Sequence, residues 1–402
     1  MKKIIKISSI TFMSLLVMVS SFLILKAWDA PTVKKYELEE VEFRSVWVCT
    51  VANMDVQKQI GTSPEAIQAW KDQYLDILYN SKAMGMNAII FQVRPCNDAF
   101  YPSKYNPWSE YLAGFGVDPG WDPLEWMLEV THAAGLEYHA WLNPYRTSTG
   151  ALSYYPTTKD QATGSTYWGD YSTSEAYNYK QEYFKGLADT LRNNNNVVDN
   201  PIMETGSTLN HQIVYGSESK FVLNPADPVT IELLDNTIKE LVENYDIDGI
   251  HFDDYFYPDD SSYKGTNADY KNITFSTQPD IDYADYKSYL NDGGTLSIYD
   301  FRRDNVNRLI KTLSDTIREL NKTDDYICAF GISPAARWAP SIESCPAGSP
   351  RAAEGGEAGS CNNYYSYSDL YADTRKWVLE DWIDYILPQA YTYLGTSTSE
   401  EA

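Results

Sequence analysis

Six short apolar runs punctuate the chain, and the segments between them follow a different period. The runs are "SVWVCTV" (45–51), "AIIFQVRP" (88–95), "EYHAWLNP" (137–144), "GIHFDD" (249–254), "YICAFGIS" (326–333) and "YILPQAY" (385–391). Most are rich in β-branched or aromatic residues, and several are nearly continuous, as parallel strands covered on both faces are. Between them, Ser63-Pro64 opens a helix that ends near Gly85 and carries Ile67, Trp70, Leu75 and Leu78 along one side. Asp122-Pro123 opens a second, closed at Gly135, and Asp227-Pro228 a third, with Ile231, Leu234, Ile238, Leu241 and Tyr245 in helical spacing. In each the N-cap side chain accepts from free backbone N–H groups, and proline stands at N1, where no donor is lost. A fourth helix is predicted from Asp300 to Asn321 through Leu309, Leu313, Ile317 and Leu320, and Ser368 is predicted to cap a fifth.

Strand–helix alternation of this kind predicts a parallel α/β fold. Two long insertions break the rhythm, roughly 148–222 and 259–297, the first including "NNNN" at 193–196. Connections of that length are usually functional or mobile surface.

The chemistry-bearing residues fall at the strand ends. Arg94 and Asp98 lie at or just beyond the second strand, Asn143 and Arg146 end the third, and Asp253 and Asp254 end the fourth. Arg337 follows the fifth, and Gln389 ends the sixth. Polar groups gathered at the C-terminal ends of successive parallel strands are what a (β/α)8 barrel active face requires, although a doubly wound open sheet also places sites there. No G-x-G-x-x-G or Walker-type loop follows any strand, so nucleotide binding lacks its usual support and the TIM-type barrel is the better reading.

Alternation along "GIHFDD" puts His251 and Asp253 on one face, with Ile250 and Phe252 on the other. If the apolar pair packs under helices, His251 and Asp253 face the barrel axis with Asp253 at the mouth. A carboxylate there can stabilise or attack a sugar cation, and a neighbouring carboxylate raises the pKa of one member of the pair, leaving it protonated and able to donate; the acid that partners Asp253 stays open among Asp254, Asp98 and a loop acid such as Asp259. Asp254 has an equally good structural reading as a loop cap or ion-pair partner. Arg94, Arg146 and Arg337 can bind substrate carboxylates or hold the acids in place; internal pairing is the commoner use of a buried arginine.

The four histidines, His132, His139, His211 and His251, include no H-x-H or H-E-x-x-H spacing, and no C-x-x-C pair occurs, so neither a metal nor another cofactor is expected. No G-x-S-x-G supports a serine nucleophile. His139 and His251 lie on adjacent strands and are expected to hydrogen-bond in the interior. Cys345 and Cys361 share a Gly/Ser/Ala-rich loop, where a disulfide and free thiols are both open readings.

Composition adds a partner class. With a net charge of −24 over 402 residues, the surface repels nucleic-acid backbones and anionic lipid. The 33 Tyr and 11 Trp suit the faces of sugars and favour a carbohydrate partner, a polysaccharide, although Tyr is also an ordinary surface-loop residue in acidic exported proteins. Trp47, Trp141, Tyr255, Tyr257 and Tyr391 are the rings placed to stack on it. "MKKIIK" and the mostly apolar run from Ile7 to Leu25 mark residues 1–30 as an export signal or an N-terminal anchor, followed by a linker at 31–41. Membrane attachment is expected only through this segment, and the remainder is expected to work outside the cytoplasm.

Eight blocks, in order, resemble one family. They are "RSVWVCTVANMD" (44–55), "NAIIFQVRPCNDAFYPS" (87–103), "DPGWDPLEWMLEVTHAAGLEYHAWLNPYR" (118–146), "FVLNPADP" (221–228), "YDIDGIHFDDYFYP" (245–258), "FRRDNVNRLI" (301–310), "FGISPAARW" (330–338) and "YADTRKWVLEDWIDYILPQAY" (371–391). Together they resemble glycosyl-hydrolase-like family 10, exported bacterial proteins formerly grouped as a domain of unknown function. The resemblance implies a (β/α)8 barrel over 42–402 and glycoside hydrolysis of a polysaccharide, with cell-wall peptidoglycan glycan as the usual substrate class. "DGIHFD" is also similar to the fourth-strand motif of α-amylase-type barrels, which implies Asp253 as nucleophile and His251 as the inward basic residue. Chitinase-type barrels place a catalytic Glu where this chain has Tyr255. A family barrel has eight strands and six are read here, so the chain is expected to be C-terminally truncated. The competing expectation is a non-catalytic carbohydrate-binding or cell-envelope scaffold protein on a decayed barrel.

Overall fold

The computed structural model describes residues 42–114, 116–147, 212–214, 221–257, 282–322 and 327–391. The export segment, the linker and most of both insertions lie outside the described residues.

Six strands form one sheet: β1 (Ser45–Val48), β2 (Ala88–Arg94), β3 (Glu137–Leu142), β6 (Gly249–Phe252), β7 (Ala329–Ile332) and β8 (Tyr385–Ile386). They lie side by side in that order, and every pairing is parallel. Helices α1 (Pro64–Ala83), α2 (Pro123–Ala133), α3 (Pro228–Asn244) and α5 (Ile298–Leu320) fall between successive strands. Helix α4 (Tyr283–Asn291) precedes α5. A strand order that follows the chain, with a helix at each crossover, is an arc of an α/β barrel. A separate antiparallel pair, β4 (Gln212–Val214) with β5 (Phe221–Leu223), falls at the end of the first insertion.

The predicted caps form. Ser63 accepts from Ala66 N at 3.3 Å, Asp122 from Leu124 N and Glu125 N at 3.0 and 3.1 Å, and Asp227 from Val229 N at 2.9 Å. Three details differ from the sequence reading. The apolar stripe of α1 is Trp70, Tyr74 and Leu78, spaced by four, while Leu75 turns outward, 39% exposed. Helix α5 starts at Ile298, because Ser297 accepts from Asp300 N at 3.1 Å and supplies the cap. Ser368 caps nothing: it lies inside the short α6 (Ser366–Asp369), and Asp373 caps α7 (Thr374–Leu379).

Register explains the two faces of the sheet. Ala140, Ile250 and Phe330 are paired across β3, β6 and β7, as are Leu142, Phe252 and Ile332. All six are essentially inaccessible and form part of the apolar core, each larger side chain contributing about 1.5–3 kcal/mol of burial. The alternate rows point into the arc. One of them joins Gln92, Trp141, His251, Gly331 and Tyr385. Gly331 is required there, because a Cβ would stand 1.9 Å from Cζ of Tyr385. That space lets the Tyr385 ring lie against His251, with centroids 5.6 Å apart and planes 22° apart. In the row below, a Cβ on Gly249 would stand 2.3 Å from Nδ1 of His139.

Several strands end short of the sequence boundaries. β1 stops at Val48, and the next free amides, Thr50 N and Val51 N, donate to Oε1 of Gln92 at 3.1 and 3.0 Å. β6 stops at Phe252, which releases Asp253 and Asp254 from the ladder. The loop after β7 contains a Cys345–Cys361 disulfide, which settles the alternative left open by spacing.

Candidate active site

Asp253 leaves the C-terminal end of β6 and is 1% exposed. Its carboxylate accepts from Nε1 of Trp141 at 3.0 Å, from Nδ2 of Asn143 at 3.1 Å to each oxygen, and from Tyr255 N at 3.3 Å. Burial raises its pKa; Arg146, Asn143, Trp141 and the Tyr255 amide oppose that rise. The donors come from β3 and its end because that strand pairs in register with β6, Trp141 opposite His251.

A second layer holds those donors. Arg94 is fully enclosed, and its guanidinium donates to the Asn143 carbonyl at 2.6 Å, to Asn106 Oδ1 at 3.1 Å and to Asn97 Oδ1 at 2.5 Å. Burial brings its pKa down to about 10. Oδ1 of Asn143 accepts from Arg146 N at 2.7 Å, and Nε of Arg146 donates to the Pro95 carbonyl at 2.9 Å. The Arg146 guanidinium lies 4.9 Å from the centre of the Tyr255 ring, which is 55% exposed. Arg146 and Tyr255 thus form one wall of the site beside Asp253.

Asp254 has different surroundings. It is half-buried, and its pKa is raised to about 6, by burial first and then by the charge of Asp253, against a hydrogen bond from Gln389 and the pull of Arg146. Gln389 also donates through Nε2 to the Ser333 carbonyl at 2.8 Å, so the end of β8 is joined to the end of β7. Tyr391 is beyond it and 88% exposed.

Beneath Asp253 a chain of hydrogen bonds crosses the interior. Nε2 of His251 meets Oγ of Ser333 at 2.8 Å, and Nδ1 meets the Tyr385 hydroxyl at 2.9 Å. Nδ1 of His139 meets the same hydroxyl at 2.7 Å, and its Nε2 meets Glu137 at 3.2 Å. Burial and the nearby His139 hold the His251 pKa well below its ordinary value, so His251 is neutral. Trp47 closes this side, its ring 4.6 Å from Trp141 and 5.1 Å from His251.

Five candidate substrate-binding residues are withdrawn on these grounds. Arg94 is spent on carbonyl and amide oxygens and cannot reach a substrate. Asp98 is 1% exposed; its Oδ1 accepts from Cys96 N at 2.8 Å, and burial lifts its pKa to about 6. Tyr257 is 2% exposed, donating to Asp282 at 3.1 Å and accepting from Asn305 at 2.9 Å, so its ring is core. Asn143 and His251 are likewise fully buried, Asn143 on Asp253 and the Arg146 amide and His251 on Ser333 and Tyr385, so they support the site from within and do not touch substrate. Trp141, Arg146, Tyr255, Gln389, Asp253 and Asp254 do gather, and Arg337 stands in the loop beyond β7. Sequence reading passed over Ser333 and Tyr385. The first ended an apolar run and the second began one; only the parallel register puts both beside His251.

Among the described residues no cluster of His, Cys, Asp and Glu is arranged to hold a metal ion.

Comparison with known proteins gives the setting. Over 358 residues the chain is 35% identical to the protein named Glycosyl hydrolase YngK of Bacillus subtilis, covering 88% of this chain and 55% of that one. It is 29% identical over 364 residues to Glycosyl hydrolase DigH of Escherichia coli K12, covering 87% of this chain and 65% of that one. The chain thus spans between about half and two thirds of the length of these relatives. Among solved structures, an α-L-fucosidase of Paenibacillus thiaminolyticus shares 15% identity over 75% of this chain and 33% of its own, at a TM-score of 0.37, a likeness too slight to bear on function. The family model described as Glycosyl hydrolase-like 10 matches residues 42–166 and 182–401, and the chain belongs to that family.

Proposed function

We propose that this protein is an exported glycoside hydrolase that cleaves a polysaccharide, with cell-wall glycan strands as substrate. The observation that carries the reading is the unequal pair at the end of β6. Asp253 is enclosed and receives N–H donors from Trp141, Asn143 and Tyr255, whereas Asp254 reaches solvent and is raised to about 6. Two carboxyls pushed into different surroundings are how one site separates an acid from a base or nucleophile.

In this reading Asp254 gives its proton to the glycosidic oxygen as the C–O bond breaks. Asp253, ionised, stabilises or attacks the sugar cation that forms, and water then completes the cleavage. Arg146 opposes the burial that disfavours the ionised form of Asp253, and the exposed ring of Tyr255 offers a face for a sugar. The family membership and the names of the relatives agree with this chemistry, and the basic-then-apolar N-terminal run, read as an export signal, supports work outside the cytoplasm.

The test is release of reducing ends from purified, peptide-free wall glycan and from neutral polysaccharides. Cleavage of wall glycan supports the proposal. Binding without cleavage of any of them favours the non-catalytic carbohydrate-binding alternative.

A further inference from the structure

The loop leaving the C-terminal end of β7 builds a second concavity. A cavity of about 400 Å³ is lined by Arg337, Glu357, Ala358, Gly359, Asn363 and Tyr365, within the range of small-ligand sites, about 300–1,000 Å³. Neither aspartate of the candidate active site lines it, yet it opens at the same end of the sheet. Ser333 N donates to the Phe252 carbonyl at 2.8 Å, tying the root of this loop to the strand that ends in Asp253. Gln389, whose amide donates to the Pro334 carbonyl at 2.8 Å, stands beside Asp254.

The walls are fixed without a ligand. The Cys345–Cys361 disulfide closes the loop. Arg351 grips Asp369 through two nitrogens at 2.8 Å each and donates to the carbonyls of Cys361 at 3.1 Å and Asn363 at 3.0 Å. Glu357 is pinned on both sides, Ser341 N donating to its carbonyl at 2.7 Å and its own N–H to the Ala339 carbonyl at 2.8 Å. A site already held in shape loses little entropy on binding.

Two of its charged groups keep capacity for a guest. Among the described arginines, Arg337 alone has a guanidinium with no hydrogen bond or ion pair in the protein. Glu357 uses one carboxylate oxygen to accept from Trp338 N at 3.1 Å, and the other accepts from no described residue. The cavity therefore presents strong donors and a strong acceptor with no net charge. A carboxylate guest would meet Arg337 but also Glu357, and a cation the reverse. A sugar hydroxyl both donates and accepts, and neighbouring hydroxyls satisfy the two side chains together.

We propose that this cavity is a distal subsite for a neutral sugar unit of the polysaccharide whose cleavage is assigned above to Asp253 and Asp254; it rests on that reading. The experiment pairs calorimetric binding of a β-1,4-linked N-acetylglucosamine hexamer with hydrolysis of wall glycan, on the full chain and on Arg337→Ala and Glu357→Gln. Each variant is expected to bind the hexamer about tenfold more weakly, or worse, and to raise KM for glycan by a like factor at unchanged kcat. Arg337→Lys is expected to recover part of the loss. Hexamer binding equal in wild type and both variants, or absent in wild type, overturns the subsite. Arg337-dependent binding of oligogalacturonate in place of the hexamer overturns the neutral assignment. Hexamer binding that depends on Arg337 without any cleavage upholds the subsite and overturns the hydrolase reading alone.

Discussion

Replacing Asp254 by Asn removes the proposed proton donor and is expected, at the same time, to stabilise the fold. Burial and the adjacent Asp253 raise its pKa from the usual 3.8 to about 6. For an acid raised in this way, the folded state binds the proton more tightly than the unfolded chain does. Its stabilising contribution is complete below about pH 4 and is lost as pH rises through about 6. At pH 7 the wild type therefore carries an ionised carboxylate in a poor place. A shift of roughly two units corresponds to about 3 kcal/mol, and partial solvent access lowers this to about 1–2 kcal/mol. Asparagine has the same shape, keeps an acceptor for Gln389 and never ionises. Urea unfolding at pH 7 should therefore find Asp254→Asn more stable than wild type by about 1–2 kcal/mol, with the gap closing at pH 4. A variant less stable at pH 7, or a gap that does not change with pH, refutes the assignment of a raised pKa to this group.

Other perturbations reach the same site from different sides. Trp141→Phe deletes the indole N–H that lies 3.0 Å from Asp253; a hydrogen bond to a charge is worth about 1.5–3 kcal/mol. The acid limb of the kcat/KM profile should move up by about one to two pH units, and an unmoved limb contradicts a role for that donor. Gly331→Ala forces a Cβ into the Tyr385 ring, so a loss of about 1–3 kcal/mol in unfolding free energy is expected; an unchanged value means the ring does not fill that space. The interior chain assigns a tautomer as well. With His139 neutral, Glu137 accepts from its Nε2–H, Tyr385 donates to Nδ1 of His139, and Nδ1–H of His251 donates to Tyr385. Nitrogen-15 NMR of the histidines should show His251 protonated at Nδ1, and a signal for the Nε2–H form breaks the chain.

Much of the frame is legible in the sequence because its signals are local. Ser63-Pro64, Asp122-Pro123 and Asp227-Pro228 announce helix starts through groups within three residues of each other, and Ile250 and Phe252 show the buried face of β6 by alternation. The gathering of Trp141, Asn143 and Asp253 follows from two strand ends being neighbours, which the barrel reading supplies. What escapes is whatever depends on register or on distant partners. Arg94 and Tyr257 have the chemistry of binding residues, but Asn97, Asn106 and the Asn143 carbonyl enclose the first, and Asp282 with Asn305 encloses the second. Ser333 and Tyr385 show no local mark, since their partners lie 82 and 134 residues away from them, at His251. The unpaired guanidinium of Arg337 is visible only once every other described arginine has been seen to have a partner.

The claim on which the proposed function stands is that Asp253 takes part in breaking a glycosidic bond. Asp253→Asn keeps the side chain's size, so its folding can be checked by circular dichroism and its glycan binding by calorimetry. The direct measurement is the rate of reducing-end release from peptide-free wall glycan by wild type and by this variant, side by side near pH 5. The prediction is cleavage by the wild type and a fall of about a thousandfold or more in the variant, with binding retained. Equal rates in the two proteins would contradict it.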